Sequence, residues 1–211
     1  AEDGIRDVAV GLVGSEMCIR DRDDRDHFLK GDNGYCVLTL HRPSNVDDVQ
    51  LFRQLLETVR MVSEEIPVIF PVHPRTRNRM AELGLQTLIE SRRIAQLQPL
   101  GYLEMLGLVS GARLVMTDSG GLQEETTVLG VPCITLRDTT ERPVTVDQGT
   151  NTVVGHDSKQ IMAIVSDVLS NGGKRGRTPE LWDGRAAIRI KSVLTDWLQQ
   201  RTAPLSKAKF Q

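Results

Sequence analysis

From Tyr35 onward, short apolar β-rich runs alternate with segments whose apolar residues recur at helical spacing, and that alternation leaves few folds open. The run "YCVLTL" (35–40) is apolar enough to be buried on both faces, as a parallel strand is. A helix follows, capped by Asp47 or Asp48, with Val49, Phe52, Leu55, Leu56, Val59 and Val62 along one stripe. "IPVIFPV" (66–72) is the second strand, and a polar, arginine-rich helix near 76–83 comes after it. "RIAQLQPL" (93–100) is the third strand, with a short helix over 102–110. "RLVMT" (113–117) is the fourth, with its helix at 122–129, and "PCITL" (132–136) is the fifth. "NTVVG" adds a short sixth strand, and a helix over 158–169 follows. "SNGGKRGRTPE" (170–180) reads as a solvated loop, and a long amphipathic helix at about 184–199 closes the pattern. Successive strands joined through helices make right-handed crossovers in one parallel sheet. The expected fold is therefore α/β, a three-layer Rossmann-like parallel sheet. Ligands of such sheets bind at the carboxyl ends of the strands, so the residues that follow each strand carry the functional argument.

Composition narrows the partners. A chain of 211 residues suits one ordinary domain with a tail, and 39% hydrophobic with 26% charged residues is globular. A net charge of −2 directs it neither to nucleic acid nor to an anionic membrane surface. No apolar run approaches the roughly 18 residues of a spanning helix. Cys18, Cys36 and Cys133 lack metal-ligand spacing, and the latter two sit inside strand-like runs. They read as buried free thiols in a reducing cytoplasm. No His, Cys or carboxylate cluster implies a metal, and no cofactor is expected. Residues 1–22 lack the basic start and A-x-A site of a signal peptide, and resemble translated sequencing adapter. They are expected to be a non-native leader, with residues 23–211 as an authentic chain cut short at its amino end.

The fourth strand runs into "TDSGGLQEE". A helix beginning near Gly120 or Gly121 aims unpaired N–H groups and a partial positive charge outward, which favours an anion. Glycines admit a diphosphate close to the backbone, Ser119 adds a hydroxyl donor, and Glu124 or Glu125 could accept from a ribose diol. Taken alone, the stretch serves equally as a helix capped by Asp118 or Ser119. It is neither a G-x-G-x-x-G fingerprint nor a P-loop, which turns the reading away from NAD and ATP. The fifth strand ends in "RDTTERP", which taken alone reads as a solvated surface turn; at a strand end beside the glycine mouth, its two arginines among hydroxyls suit a phosphate clamp. His41 and Arg42 come directly off the first strand, where an imidazole can move a proton or steady a leaving phosphate. His73 follows the second strand in the same way, between Pro71 and Pro74; His27 and His156 are given no role.

Together, "TLHRPSNVDD", "PVHPRT", "PLGYLEML", "TDSGGLQEE" and "GVPCITLRDTTERP", with "LWDGRAAIRI" more weakly, resemble the carboxyl-terminal half of the non-hydrolysing UDP-N-acetylglucosamine 2-epimerases over about residues 34–200. The resemblance implies one half of a GT-B arrangement, with the active site in the cleft between two Rossmann-like halves. It implies inversion at C2 of UDP-N-acetylglucosamine by elimination of UDP and its re-addition, with UDP and the UDP-sugar as ligands and a homodimer as the assembly. Ser119, Gly120 and Gly121 match the diphosphate cradle, with Arg142 adjacent, and Glu125 matches the ribose acceptor. Leu100, through its backbone, and Met105 match positions that hold the uracil. His41 matches the active-site histidine, with Arg42 beside it, and His73 is grouped with the substrate-binding residues. Three departures stand out. Met105 takes the place of a frequent aromatic, Ser44 replaces a frequent acid after His-Arg, and the family's acid/base carboxylates belong to the other half. Two further readings stay open at this point. One is a hydrolysing epimerase or GT-B glycosyltransferase, and the other is a non-enzymatic UDP-sugar-binding domain.

Overall fold

The computed structural model describes residues 34–202. The expected leader at 1–22, Cys18 and His27 lie outside them. The described chain falls into two compact units, one ending at Arg177 and one starting at Thr178.

The first unit is a six-stranded parallel sheet: β1 (Cys36–Thr39), β2 (Val68–Pro71), β3 (Ile94–Leu97), β4 (Leu114–Thr117), β5 (Cys133–Thr135) and β6 (Asn151–Val153). The strand order is β3-β2-β1-β4-β5-β6. Its helices are α1 (Pro43–Val46), α2 (Val49–Glu65), α3 (Pro74–Glu82), α4 (Tyr102–Ser110), α5 (Gly120–Leu129), α6 (Pro143–Asp147) and α7 (Ser158–Asn171), with a 3₁₀ turn at Gln86–Ile89. The expected three-layer sheet is present, and its strands divide their side chains between two cores. Cys36, Leu38, Val68, Phe70, Leu114, Met116 and Ile134 face one way, onto Phe52, Leu56 and Val59 of α2 and Ile161 and Val165 of α7. Val37, Ile69 and Val115 face the other way, onto Leu108 and Val109 of α4 and Leu122 of α5. That two-sided burial is why these strands are continuous apolar runs and not alternating ones.

Local chemistry accounts for most element boundaries. Asp48, of the two caps expected, accepts from the N–H groups of Gln50 and Leu51 and starts α2. Gly130 ends α5 in the left-handed conformation at φ 71°, and Gly172 ends α7 at φ 85°. The helix after β4 starts at Gly120, where the glycine mouth was expected to open it and two residues ahead of the stretch at 122–129, because the glycine pair forms its first turn. Two short helices, α1 and α6, were not expected. Each opens on a proline, whose fixed φ and missing N–H suit a first helical position.

The second unit is carried by α8 (Ala186–Thr202), close to the expected closing helix. Asp183 accepts from the Arg185 N–H at 3.0 Å and pairs with Arg189. Ile188, Ile190, Val193 and Leu194 on α8 are exposed. No described helix is long and apolar enough to cross a membrane.

Candidate functional site at the β1–β4 switch point

Strand order reverses between β1 and β4, because β2 lies on one side of β1 and β4 on the other. That is where a doubly wound sheet opens a crevice between its loops. The register sets Thr39 beside Thr117, and Thr117 beside Thr135, as one row at the carboxyl edge. The Thr39 and Thr117 hydroxyls meet at 2.6 Å. Thr117 Oγ1 also accepts the Ser119 N–H at 2.9 Å, turning the chain from β4 into α5.

The residue that organises this edge is Asp118, which sequence reasoning weighed only as a helix cap. Its side chain is fully buried and bonded to the loop after β1. Asp118 Oδ2 accepts the backbone N–H groups of His41 and Arg42, both at 2.9 Å, and the Asn45 amide at 3.3 Å. Oδ1 lies 2.9 Å from His41 Nδ1, a close polar contact without well-aligned hydrogen-bond geometry. Burial works against the charge of Asp118. The His41 ring and the two N–H groups outweigh it, so its carboxyl titrates below the ordinary range. A carboxylate directly after a strand and before Ser-Gly-Gly was the available signal. What it binds comes from β1, 77 residues away in sequence, and no local pattern shows that.

His41 and Arg42 are therefore positioned by their backbone as well as by their side chains. The His41 ring is 39% exposed, and its centroid lies 5.6 Å from that of His73. His73 is the N-cap of α3, its Nδ1 accepting from the Arg75 N–H at 3.2 Å, so that nitrogen is the acceptor of the ring. His156, given no role from sequence, supports the same loop: its Nε2 is 3.0 Å from Asn45 Oδ1.

At the mouth of α5, neither sequence-proposed cap makes a capping bond. Ser119 occupies the N-cap position, but its hydroxyl makes no such bond. Gly121 is exposed, and a Cβ there would meet nothing nearer than Ser119 Oγ at 3.9 Å. Gly120 is buried, and the group that approaches it is Glu141: a Cβ would come within 2.6 Å of Glu141 Oε1. The expectation that both glycines admit a ligand is thus divided, with a protein carboxylate beside the first and open space before the second. Arg142 is paired with Glu124 through a 2.9 Å contact. Glu125 lies one turn into α5, half-buried, and burial first and Glu124 second push its carboxyl above the usual range. Leu100 and Met105 pack against the second core, and α4, which carries Met105, lies beside α5. Among the described residues, no three His, Cys, Asp or Glu groups gather as metal ligands.

Comparison with known proteins fits this geometry. A family model described as UDP-N-acetylglucosamine 2-epimerase matches residues 8–195. A UDP-N-acetylglucosamine 2-epimerase of Methanocaldococcus jannaschii is 41% identical over 167 residues, covering 78% of this chain and 45% of that protein. A UDP-2,3-diacetamido-2,3-dideoxy-D-glucuronate 2-epimerase of Pseudomonas aeruginosa is 39% identical over 168 residues, covering 79% of this chain and 46% of that protein. The crystal structure of the Methanocaldococcus jannaschii epimerase, in complex with UDP-GlcNAc and UDP, superposes with a TM-score of 0.71 at 35% identity, over 90% of this chain and 52% of that one. The chain thus spans about half the length of the relatives it matches, and the matched residues include every strand-end loop described above. It belongs to the UDP-N-acetylglucosamine 2-epimerase family.

Proposed function

We propose that the protein of which this chain is a part interconverts UDP-N-acetylglucosamine and UDP-N-acetylmannosamine by elimination and re-addition of UDP. In this reading, the first unit is the UDP-gripping half of a GT-B arrangement, and proton transfer at C2 comes from carboxylates outside it. The observation that carries it is the meeting, at one switch point, of an open helix start with a histidine held by a buried carboxylate. Departing UDP develops negative charge, which the Ser119 hydroxyl and the first N–H groups of α5 stabilise without reorganising. Gly121 admits the diphosphate, and Gly120 lets the cradle close. Arg42 and Arg142 supply cationic donors, and Glu125 accepts from the ribose. Leu100 and Met105 border the uracil, while His41, with His73 beside it, faces the leaving oxygen. The reading carries with it a homodimer and a cytoplasmic setting, in which the buried thiols Cys36 and Cys133 stay reduced.

The sugar has a second candidate. The Pseudomonas aeruginosa relative, named for a 2,3-diacetamido glucuronate, is almost as similar as the one named for N-acetylglucosamine. Both share the nucleotide, so the UDP assignment comes first in any test.

Calorimetric titration of the 211-residue chain with UDP is expected to show binding. Ser119→Ala and Glu125→Ala should each weaken it by about tenfold, the scale of one hydrogen bond to a charged group. A chain that circular dichroism shows to be folded, yet that ignores UDP, removes the reading. In a protein of the relatives' length, turnover of the two UDP-sugars separates them, His41→Ala should lower kcat at least about tenfold, and free UDP accumulating at every turnover would mean hydrolysis instead.

A further inference from the structure

The cations around the mouth of α5 are already matched to carboxylates of the chain itself. Arg142 pairs with Glu124, while Arg42 and Arg137 both pair with Glu141. Glu141 is the group that joins three neighbouring strand ends. Its Oε1 accepts from Arg42 Nη2 at 2.7 Å, reaching across from the loop after β1. Its Oε2 accepts from Arg137 Nη1 at 2.5 Å, at the end of β5. Oε1 also lies against Gly120, at the start of the helix that follows β4. The order β1-β4-β5 is what brings these loops together.

Glu141 remains ionised at any working pH, since its own backbone N–H and then Arg137 hold its carboxyl down to about 2. Two guanidinium groups against one carboxylate still leave a positive charge. A guanidinium carries five N–H donors, and Glu141 engages one nitrogen of each, so both retain donors for phosphate oxygens. Long arginine side chains lose rotamer freedom when they bind, and an anchored pair has already lost it.

We infer that Glu141 is a positioning residue for the nucleotide's diphosphate: by bridging Arg42 and Arg137 over Gly120, it sets both guanidinium groups beside the Ser119–Gly121 rim before ligand arrives. The inference rests on the UDP-binding reading above and adds a residue that makes no claim to touch substrate. It also gives Gly120 its own reason, because any Cβ there displaces the bridging carboxylate.

The test titrates the full 211-residue chain with UDP by calorimetry and with uridine by ligand-observed NMR. Glu141→Gln is expected to lower UDP affinity about tenfold while leaving uridine affinity unchanged, because the nucleoside has no phosphate for the arginines to meet. Gly120→Ala should reproduce that UDP-selective loss from the other side of the contact, and the double variant should be no weaker than either single one. Equal losses for UDP and uridine would show a merely structural role and overturn the inference. Tighter UDP binding in Glu141→Gln would also overturn it, by showing that the carboxylate competes with phosphate. Failure of the unsubstituted chain to bind UDP is a separate result, which removes the UDP-binding reading and this inference with it.

Discussion

Replacing Asp118 by Asn tests whether a buried charge holds the β1 loop. The side chains are nearly isosteric, so the perturbation is electrostatic. An Asn carbonyl in place of Oδ2 still accepts the His41 and Arg42 N–H groups, now as neutral bonds. Bonds to charged acceptors contribute about 1.5–3 kcal/mol, and neutral ones about 0.5–1.5, so each of the two short bonds loses about 1 kcal/mol. The Asn45 bond, at 3.3 Å, adds little. The amide nitrogen then confronts His41 Nδ1, whose ring is 39% exposed, so solvent screening limits that part of the loss. The sum is about 2–3 kcal/mol, or roughly 5–10 °C in Tm for a unit of this size. Urea and thermal unfolding of both chains measure it directly. The pH dependence supplies the sign. Because the folded carboxyl titrates below its unfolded value of about 3.9, its contribution is fully present above that value and is lost as pH falls through the folded one. The gap between the chains should therefore be flat from about pH 7 to 5 and close below about 4. A gap under about 0.5 kcal/mol at neutral pH, or one undiminished at pH 3, would refute the argument that ionised Asp118 fixes this loop.

Glu125→Gln should act in the opposite direction on stability. Its folded carboxyl titrates above the unfolded value, so ionisation at neutral pH opposes folding. The variant should show a higher Tm at pH 7, no gain at pH 3, and weaker UDP binding; a lower Tm at pH 7 would count against this reading. The Cys36 and Cys133 thiols are fully inside the sheet, and burial raises both titrations, Cys133 to about 12. Neither should react with a thiol-specific disulfide reagent at pH 8 until urea unfolds the unit, and peptide mapping of the labelled sites checks this. Gly149→Ala and Gly130→Ala should differ sharply. A Cβ at Gly149 would come within 2.3 Å of Thr127 Oγ1 and 2.6 Å of the Thr145 carbonyl, whereas Gly130, at φ 71°, has open space and suffers only backbone strain. Unfolding in urea should show Gly130→Ala losing about 1 kcal/mol and Gly149→Ala distinctly more.

Strand and helix positions in this chain were legible because they rest on local signals. The runs around Val37, Ile69 and Val115 are apolar throughout, since both faces of each strand are covered. Asp48 and Gly130 mark helix ends by chemistry that acts within four residues. The strand-end loops could also be picked out in advance, because a parallel sheet brings the carboxyl ends of its strands to one edge. The short helices α1 and α6 were missed, for their one signal is a proline that turns use as readily.

What the linear order could not show is which loops meet. Asp118 reads as a helix cap until β4 is seen lying against β1, where its nearest donors become the N–H groups of His41 and Arg42. Glu141 reads as one charge in a solvated turn until β5 lies against β4, where it joins Arg42 to Arg137 over Gly120. The sequence alone determined the elements and the candidate ligand chemistry, because propensity, capping and apolar periodicity act over a few residues. The tertiary structure alone decided how the charges pair, because ion pairs form between groups within a few ångströms in space, and strand order, not sequence distance, sets which groups those are.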